Sequence, residues 1–475
     1  MGYPPSSSLR PSACPALSRI VAARDGGLCR IKLPGGTLLA RQALAIADAA
    51  DTHASGLVEL TNRGNVQLRG VKAGDETPLS RRLSDAGLGP RLGAAESLDP
   101  VLAAKQAAIA DDARNLLLSP AAGLDVDALH DTVPLAERIL ALLQSEPRVA
   151  ELSPKFSVLL DGGERLAALD HPHDVWFAAM PPAVRTPDEA RFAVGLAGQP
   201  SAHGGDALAA VRADDIVALM RALLHTFLDL AARDENRMRD LLRSRDRHAV
   251  LAHAAAKAGI ALQRGPDIDA WRRAPAEAAR RFGAHAQSNA GFWHVGGQPP
   301  LGRLGTATLR GLAELASALG DGSLRLTPWQ SVLMPNVGEQ AVPQALDGLR
   351  SLGFVLDAKA PLARVIACAG STGCVKGMAD TKADALVLAE QLPAGIEAHL
   401  SGCTRSCAAA HCAPYTLLAV APARYDLYRR KQAADSERSS PRPDGAERFG
   451  ERIGVHLTIE EAAQRLREAA GVYVP

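Results

Sequence analysis

The sequence has little of several features that would assign a protein quickly to a class. Aromatic residues make up only 4% of its 475 residues, so rows of stacking side chains for single-stranded nucleic acid are not expected. The net charge of +1 gives no general attraction to nucleic acid or membranes. No run approaches the roughly 18 apolar residues of a membrane span, and the first 14 residues contain no apolar signal core. We therefore expect neither a nucleic-acid partner nor a membrane partner.

Cysteine is also scarce, with seven in the whole chain. So few cysteines without a secretory signal argue against a disulfide framework and for a reducing compartment, so we expect a cytoplasmic location. Four of the seven nevertheless fall within 40 residues, as the pairs Cys368-x5-Cys374 and Cys403-x3-Cys407. If a helical turn begins at Cys403, Cys407 lies on the same face.

Thiolates are soft ligands, so an iron–sulfur cluster and zinc are the metals to consider for these pairs. Zinc-binding cysteines usually lie about two to four residues apart. A 4Fe-4S cluster takes one thiolate for each iron, from more than one loop. The wide first pair and the short apolar strand predicted from Arg364 to Cys368 favour the 4Fe-4S cluster. The alternative without function is a set of buried free cysteines, which is less compatible with the pairing.

The chain contains an internal repeat. Residues 56–71 and 322–337 align without a gap, and helices are predicted at the same distance before each stretch. A second pairing joins residues 113–123 to 363–373, and a third joins 158–163 to 398–403. Strand, helix and hairpin in this order form half of a ferredoxin-like unit. The repeat predicts two copies of one two-part module, with Leu118, Leu124 and Gly163 aligned to Cys368, Cys374 and Cys403, so that only the second copy holds metal.

Strand starts and turns of the first copy carry cations, and the second copy carries the thiolates. Arg63 and Arg69 lie in its hairpin, where the second copy has Trp329 and Pro335. Arg114 and Lys155 precede two further predicted strands. Such groups bind carboxylates and oxyanions, and arginine can do so through two parallel hydrogen bonds. They are either an anion site facing the cluster or ordinary surface charges.

The order of these motifs resembles the sirohaem-dependent nitrite and sulfite reductase superfamily from about residue 14 to 475. The residues that carry the resemblance are Thr61-Asn-Arg63, Ala113-Arg-Asn115, Pro154-Lys-Phe156 and the two cysteine pairs. The resemblance implies a 4Fe-4S cluster on Cys368, Cys374, Cys403 and Cys407 beside a modified tetrapyrrole. It also implies that Arg63, Arg114 and Lys155 are the basic residues around tetrapyrrole and substrate.

The expected fold class is α+β, with a duplicated module of a ferredoxin-like half domain and a sulfite-reductase-type α/β domain about a pseudo-twofold axis. The expected segments are a disordered tail (1–18), a first ferredoxin-like half domain (19–80), a first reductase-like domain without a cluster (81–200), a helical connector (201–260), a second half domain (261–355) and a 4Fe-4S-binding domain (356–475).

Within the superfamily, the stretches 25–34, 154–157 and 399–403 resemble the precorrin-3B synthase branch of aerobic cobalamin biosynthesis. That resemblance implies an O2-dependent monooxygenase that hydroxylates precorrin-3A at C20 and closes a γ-lactone. Arg63, Arg69, Arg114 and Lys155 would anchor the carboxylates of the tetrapyrrole. It further implies a mononuclear non-haem iron, whose ligands we do not assign, and an external electron donor, either an NADH-linked reductase or a ferredoxin.

Two other functions remain open. The first is a sirohaem-dependent assimilatory nitrite or sulfite reductase. Sulfite reductases carry a second lysine two residues after the one at Lys155, where this chain has Ser157, so nitrite is the better substrate of the two. The second is a non-catalytic metal-binding scaffold. Neither His411 nor Cys412, which follow the last pair, receives a role.

Overall fold

The computed structural model describes residues 14–90, 100–182, 189–203, 206–409, 413–430 and 445–471. In these ranges the chain forms four five-stranded sheets with helices packed against them. None of the helices in these ranges combines the length and the apolar character that crossing a membrane requires. His411 and Cys412 lie outside the described residues.

The first ferredoxin-like half follows the predicted strand, helix and hairpin order. Its elements are β1 (Val21–Ala23), β2 (Gly26–Ile31), β3 (Thr37–Leu39), α1 (Ala40–His53), β4 (Leu57–Leu60), β5 (Val66–Val71) and α2 (Glu76–Asp85). Helix α1 buries Ala43, Ile46, Ala47 and Ala50, which share one face at helical spacing. The hairpin turn closes because Thr61 Oγ1 accepts the Asn65 N–H at 3.1 Å while Gly64 takes a positive φ of 65°.

The second half repeats this order. Its elements are β11 (Gly283–Ala286), β12 (Phe292–Gly297), β13 (Arg303–Gly305), α9 (Thr306–Leu319), β14 (Ser323–Leu326), β15 (Val332–Gly338) and α10 (Val342–Ser351). The starts of β2 and β12 differ by 266 positions, as do those of α1 and α9 and those of α2 and α10. The gapless repeat therefore extends well beyond the hairpin.

The two halves exchange one strand each. Strand β3 of the first half pairs with β14, and β13 of the second half pairs with β4. The sheet orders are consequently β1-β2-β5-β4-β13 and β11-β12-β15-β14-β3. Both halves contribute to one continuous hydrophobic core. The expected boundary of the first half at residue 80 falls inside α2, and neither half completes its sheet without the other.

The first larger domain has the sheet order β10-β9-β8-β7-β6, with β6, β7 and β8 parallel. Its elements are α3 (Pro100–Ala113), β6 (Leu116–Leu118), α4 (Val133–Ser145), β7 (Val158–Asp161), β8 (His173–Ala179), β9 (Arg191–Gly198), β10 (Ala209–Arg212), α5 (Ile216–Leu230), α6 (Met238–Leu241), α7 (Arg247–Ala258) and α8 (Pro266–Asp269). The prediction of a helical connector at 201–260 is wrong, because β10 is an edge strand of this sheet and α5 and α7 pack into its core.

The second larger domain has the equivalent order β16-β17-β18-β19-β20, with β16, β17 and β18 parallel. Its elements are β16 (Val365–Ala367), α11 (Gly370–Gly373), α12 (Thr381–Gln391), β17 (Ala398–Ser401), β18 (Tyr415–Ala421), β19 (Arg424–Arg429), β20 (Glu451–Leu457) and α13 (Ile459–Ala469). Helix α13 begins with a capping box, in which Thr458 Oγ1 accepts the Glu461 N–H at 3.2 Å.

Two details of the sequence interpretation need correction. Ala16 and Leu17, assigned to the disordered tail, are buried at 0% and 3% exposure, whereas residues 1–13 lie outside the described ranges. The strand ladders place Leu118 beside Leu160 and Ala367 beside Leu400. With β7 equivalent to β17, the residue at the position of Cys368 is Ser119, one residue later than the alignment gave.

Candidate functional site

The first cysteine of each pair lies at the carboxyl end of one of two parallel strands. Cys368 directly follows β16, and Gly402-Cys403 directly follow β17. The Gly402 N–H donates to Cys368 Sγ at 3.1 Å. A Cβ at position 402 would lie 3.2 Å from the Gly377 Cα and 3.4 Å from that sulfur, so the close approach of the two loops favours glycine there.

The other member of each pair follows an irregular turn. Residues 370–373 form a single helical turn, and Cys374 donates its N–H to the Gly370 carbonyl at 2.9 Å. The helical turn expected from Cys403 does not form, because Ser406 takes a positive φ of 53°. Loss of solvation, followed by the thiolates of Cys403, Cys368 and Cys374, raises the pKa of Cys407. All four sulfurs are therefore electrostatic neighbours.

This donor set fits a 4Fe-4S cluster. All four residues are thiols that form no disulfide within the described ranges. In the same ranges no three or more His, Cys, Asp or Glu side chains are grouped to hold a single metal ion. A four-iron cluster needs no such grouping, because each thiolate ligates a different iron. The N–H group aimed at Cys368 Sγ is of the kind that sets the potential of iron–sulfur clusters.

Side chains of the first half domain hold the backbone of these cysteine loops. Arg24 Nη1 donates to the Ser371 carbonyl at 2.8 Å, and Asn62 Nδ2 donates to the Cys407 carbonyl at 3.2 Å. Arg69 Nη2 donates to the Gly373 carbonyl. Arg69 is 5% exposed and also pairs with Asp25, so it is engaged by internal partners. The assignment of Arg69 as an anchor for substrate carboxylates therefore does not match its surroundings.

Arg63 lies on the same turn as Asn62 but faces the first larger domain. Its Nη1 donates to Asn115 Oδ1 at 3.0 Å, and Asn115 Nδ2 donates to the Phe156 carbonyl at 2.8 Å. Burial, and next the nearby Arg237 guanidinium, lower the pKa of Arg63 to about 10. This side-chain hydrogen bond of Arg63 goes to an amide and not to a carboxylate. The turn thus joins the cysteine loops to the edge that Asn115 occupies.

The remaining predicted cations lie at the same edge of the first larger domain as Asn115. This edge is formed by the residues just before β6 and β7. Arg114 Nη2 donates to the Lys32 carbonyl at 3.0 Å, and its Nη1 is 3.1 Å from Asp111, which is fully buried. Lys155 is exposed in the turn before β7. Arg63, Arg114 and Lys155 therefore share one edge of the first domain, whereas Arg69 lies under the cysteine loops.

Several groups at this edge were missed by sequence reasoning. Burial lowers the pKa of Lys32 to about 8, and it lowers the pKa of Arg30, on which the Cys14 and Cys407 thiolates act in the opposite direction. His173 is 2% exposed, and neither ring nitrogen has a partner among the described residues. Burial, followed by Arg63, holds its pKa well below the usual range, so the imidazole is neutral. No local pattern in the sequence distinguishes these residues.

Comparison with known protein families identifies domains of one family in this architecture. Residues 22–86 and 285–352 match the nitrite/sulfite reductase ferredoxin-like half domain, and residues 109–248 match the nitrite and sulphite reductase 4Fe-4S domain. These matches cover more than half of the chain. The segment 109–248 contains no cysteine, so this match falls on the first copy, and the four-cysteine site lies in the second.

Related proteins include a chloroplastic ferredoxin–nitrite reductase of Oryza sativa subsp. japonica, 28% identical over 80% of this chain and 64% of its own length. A precorrin-3B synthase of Sinorhizobium sp is 26% identical over 89% of this chain and 83% of its own length. The NirA protein of Mycobacterium tuberculosis has the same fold, with a TM-score of 0.69 over 94% of this chain and 80% of its own at 19% identity. The chain thus spans less than two thirds of the rice enzyme. The sequence matches and the shared fold together place this chain in the nitrite and sulfite reductase family.

Proposed function

We propose that the protein is a precorrin-3B synthase, an O2-dependent monooxygenase that hydroxylates precorrin-3A at C20 and forms the γ-lactone. One oxygen atom of O2 enters the product, and the other leaves as water with two electrons and two protons. The observation that carries the proposal is the match to the Sinorhizobium synthase, which covers similarly large shares of both proteins. It spans 89% of this chain and 83% of that protein. The rice nitrite reductase, although 28% identical, is matched over 64% of its length.

The charges at the edge of the first domain suit a polycarboxylate ring. Arg63 has no carboxylate partner in the described ranges, and Lys155 is exposed, so both are available for external carboxylates. Arg114 is held by Asp111 and by the Lys32 carbonyl, which fixes the direction of its guanidinium. Guanidinium groups bind carboxylates through two parallel hydrogen bonds. Arg63 and Lys155 would therefore fix the orientation of the macrocycle, and Arg114, whose two terminal nitrogens already have internal partners, would contribute its charge.

Cys368, Cys374, Cys403 and Cys407 would hold a 4Fe-4S cluster, which supplies single electrons when bound. Asn62 and Arg63 are neighbours on one turn, and Asn62 contacts the Cys407 carbonyl. A ring anchored by Arg63 would consequently lie near the cluster loop. Burial and the field of Arg63 keep the imidazole of His173 neutral, so this residue adds no further charge to the edge. We assign no ligands to the mononuclear iron that the resemblance implies.

The external electron donor would bind over the cysteine loops. Val375 and Met378 are 66% and 47% exposed, and Lys376 lies exposed between them. Arg24 and Arg405 are exposed on neighbouring loops. Apolar side chains ringed by cations suit an acidic one-electron carrier such as a ferredoxin, for which opposite charge speeds encounter. An NADH-linked reductase is the other candidate.

A sirohaem nitrite reductase is the second candidate, favoured by the plant and cyanobacterial relatives at 28% and 29% identity. At the family's second lysine position the chain has Ser157, whose Oγ is buried and has no partner among the described residues. One missing cation there counts against sulfite, a dianion, more than against nitrite.

The experiment uses anaerobically purified full-length protein with its iron and sulfide counted. It is incubated with precorrin-3A, a chemical or enzymatic electron donor and isotopically labelled O2, and the product is examined by mass spectrometry. A product heavier by one labelled oxygen supports the synthase. Porphyrinoid absorption bands together with reduction of nitrite to ammonium would instead establish the reductase.

Arg63→Ala provides the matched variant for this experiment, with Arg233→Ala, an exposed arginine of the connecting turn after α5, as its control. Loss of one charge-assisted hydrogen bond costs about 1.5–3 kcal/mol, so tetrapyrrole affinity should fall roughly 10- to 150-fold in the first variant only. Equal affinities in the two variants would exclude this edge as the binding site.

A further inference from the structure

Arg69 lies between the hairpin of the first half domain and the loop that carries Cys374. Its Nε and Nη2 donate to Asp25 at 2.8 and 3.1 Å, and Nη2 also donates to the Gly373 carbonyl. The Nη1 atom is 3.6 Å from Glu59. The side chain is 6% exposed, so its charge is shielded from water and screened little by salt.

The Arg69 guanidinium limits the space for a side chain at position 373. A Cβ added there would lie 2.4 Å from Arg69 Nη2, 2.9 Å from Cζ and 3.0 Å from Nε. The peptide before Cys374 therefore lies directly against the guanidinium, and a side chain at position 373 would have to displace it. The corresponding hairpin position of the second copy is Pro335, which has no charge to offer.

Burial alone acts to lower the pKa of Arg69, but the hydrogen bond to Asp25 and the charges of Glu59 and Asp25 raise it. The cation is therefore permanent. A second arginine, Arg303, pairs with the same Glu59 at 2.8 Å, but it lies on β13 and has no described hydrogen bond to the cysteine loops. The two arginines thus share one buried carboxylate and differ in their contact with the loop.

We propose that Arg69 is a positioning residue that fixes the Cys374 loop and raises the reduction potential of the cluster bound there. This inference rests on the proposed cluster. Reduction adds one negative charge to a cluster, and a fixed cation beside one of its ligands stabilises the reduced form more than the oxidised form. Hydrogen bonds and charges just outside the ligand shell are recognised means of tuning metal centres.

The test is a redox titration of the anaerobic full-length protein. The electron paramagnetic resonance signal of the reduced cluster is measured at each potential. Arg69→Met is compared with wild type, with Arg69→Lys, which keeps the charge, and with Arg303→Met, which alters only the far side of Glu59. We expect Arg69→Met to weaken the one-electron reduction about tenfold, a shift of about 59 mV to lower potential. Arg69→Lys should shift less, and Arg303→Met should stay at the wild-type potential.

An unchanged potential in iron-replete Arg69→Met, or an equal shift in Arg303→Met, overturns the proposal. If Arg69→Met takes up too little iron to titrate, Asp25→Asn replaces it, because this variant keeps the guanidinium and removes its counter-charge. Its potential should then rise, and no rise would overturn the proposal. A wild-type chain that binds no cluster overturns the proposed cofactor as well, whereas a loaded chain with insensitive potential overturns this inference alone.

Discussion

The ion pair between Arg273 and Asp161 occupies, in the first copy, the strand end that carries Cys403 in the second. Arg273 Nε and Nη2 bind the two carboxylate oxygens of Asp161 at 2.6 and 2.9 Å, and Nη2 also donates to the Glu164 carbonyl at 2.6 Å. The two side chains are 2% and 1% exposed. Burial, followed by Asp161, raises the pKa of Glu164 well above its usual range. Arg273 is therefore the cation that keeps these two carboxyl groups compatible with burial.

Replacing Arg273 with Met should destabilise the domain strongly. It leaves the Asp161 carboxylate without a cation in a site closed to water. Breaking a buried pair from one side costs about 3–5 kcal/mol. For a domain of this size, that lowers the thermal midpoint by roughly 6–20 °C. Differential scanning calorimetry and circular dichroism of the full chain measure the shift. Because the chain has several domains, its unfolding need not be two-state. The variants are therefore compared by their thermal midpoints and not by a free energy of unfolding.

Arg165→Met supplies the control. Arg165 pairs with Glu277, but these side chains are 41% and 46% exposed, and exposed pairs contribute about 0–1 kcal/mol. The double variant Arg273→Met with Asp161→Leu removes both charges and should recover much of the lost stability. Equal midpoints for Arg273→Met and Arg165→Met would refute the reasoning that burial makes this pair matter.

Three further predictions concern the cysteine loops and the basic edge. Cys403→Ser should lower the iron and sulfide content of anaerobically purified protein severalfold, whereas Cys29→Ala, which replaces a fully buried core thiol, should leave both counts unchanged. Lys376→Glu with Arg405→Glu should slow electron uptake from an acidic carrier, most at low salt, without changing turnover with a small uncharged reductant. Burial lowers the pKa of Lys32 from 10.5 to about 8, so the unfolded chain binds more protons between these values and stability should rise with pH there. Thermal midpoints of wild type and Lys32→Met across that range check this, and parallel curves would contradict it.

The repeat was predictable from sequence because both copies obey one backbone path. Gly64 and Gln330 are equivalent and take φ values of 65° and 59°, and Gly70 and Asn336 take 66° and 57°. The first copy meets these left-handed positions with glycine, whereas the second forces larger residues into them. A pattern of glycines alone would therefore have missed the second copy. The gapless match of apolar and turn residues found it.

The strand exchange could not be predicted from the same pattern. Strands β3 and β13 are three residues each, and nothing in Thr37–Leu39 states which sheet it joins. The one-residue slip at Cys368 has a similar cause, because Leu116–Leu118 is uniformly apolar and leaves the register to the ladder with β7. The contacts of Arg69 could not be foreseen either, because a guanidinium bound to Asp25 and one that binds a ligand are the same residue in sequence.

In the proposed function, two modules with equivalent sheet orders take different tasks. The second copy has its thiols at the carboxyl ends of β16 and β17, and the first copy has its cations ahead of β6 and β7. One hairpin turn spans the distance between them, with Asn62 on the Cys407 carbonyl and Arg63 on Asn115. Because this turn belongs to a sheet completed by β13 of the other half, its position depends on both copies. Variants that loosen the exchanged strands should therefore impair the cysteine loops and the basic edge together, and a change confined to one of them would show that the turn does not couple the two.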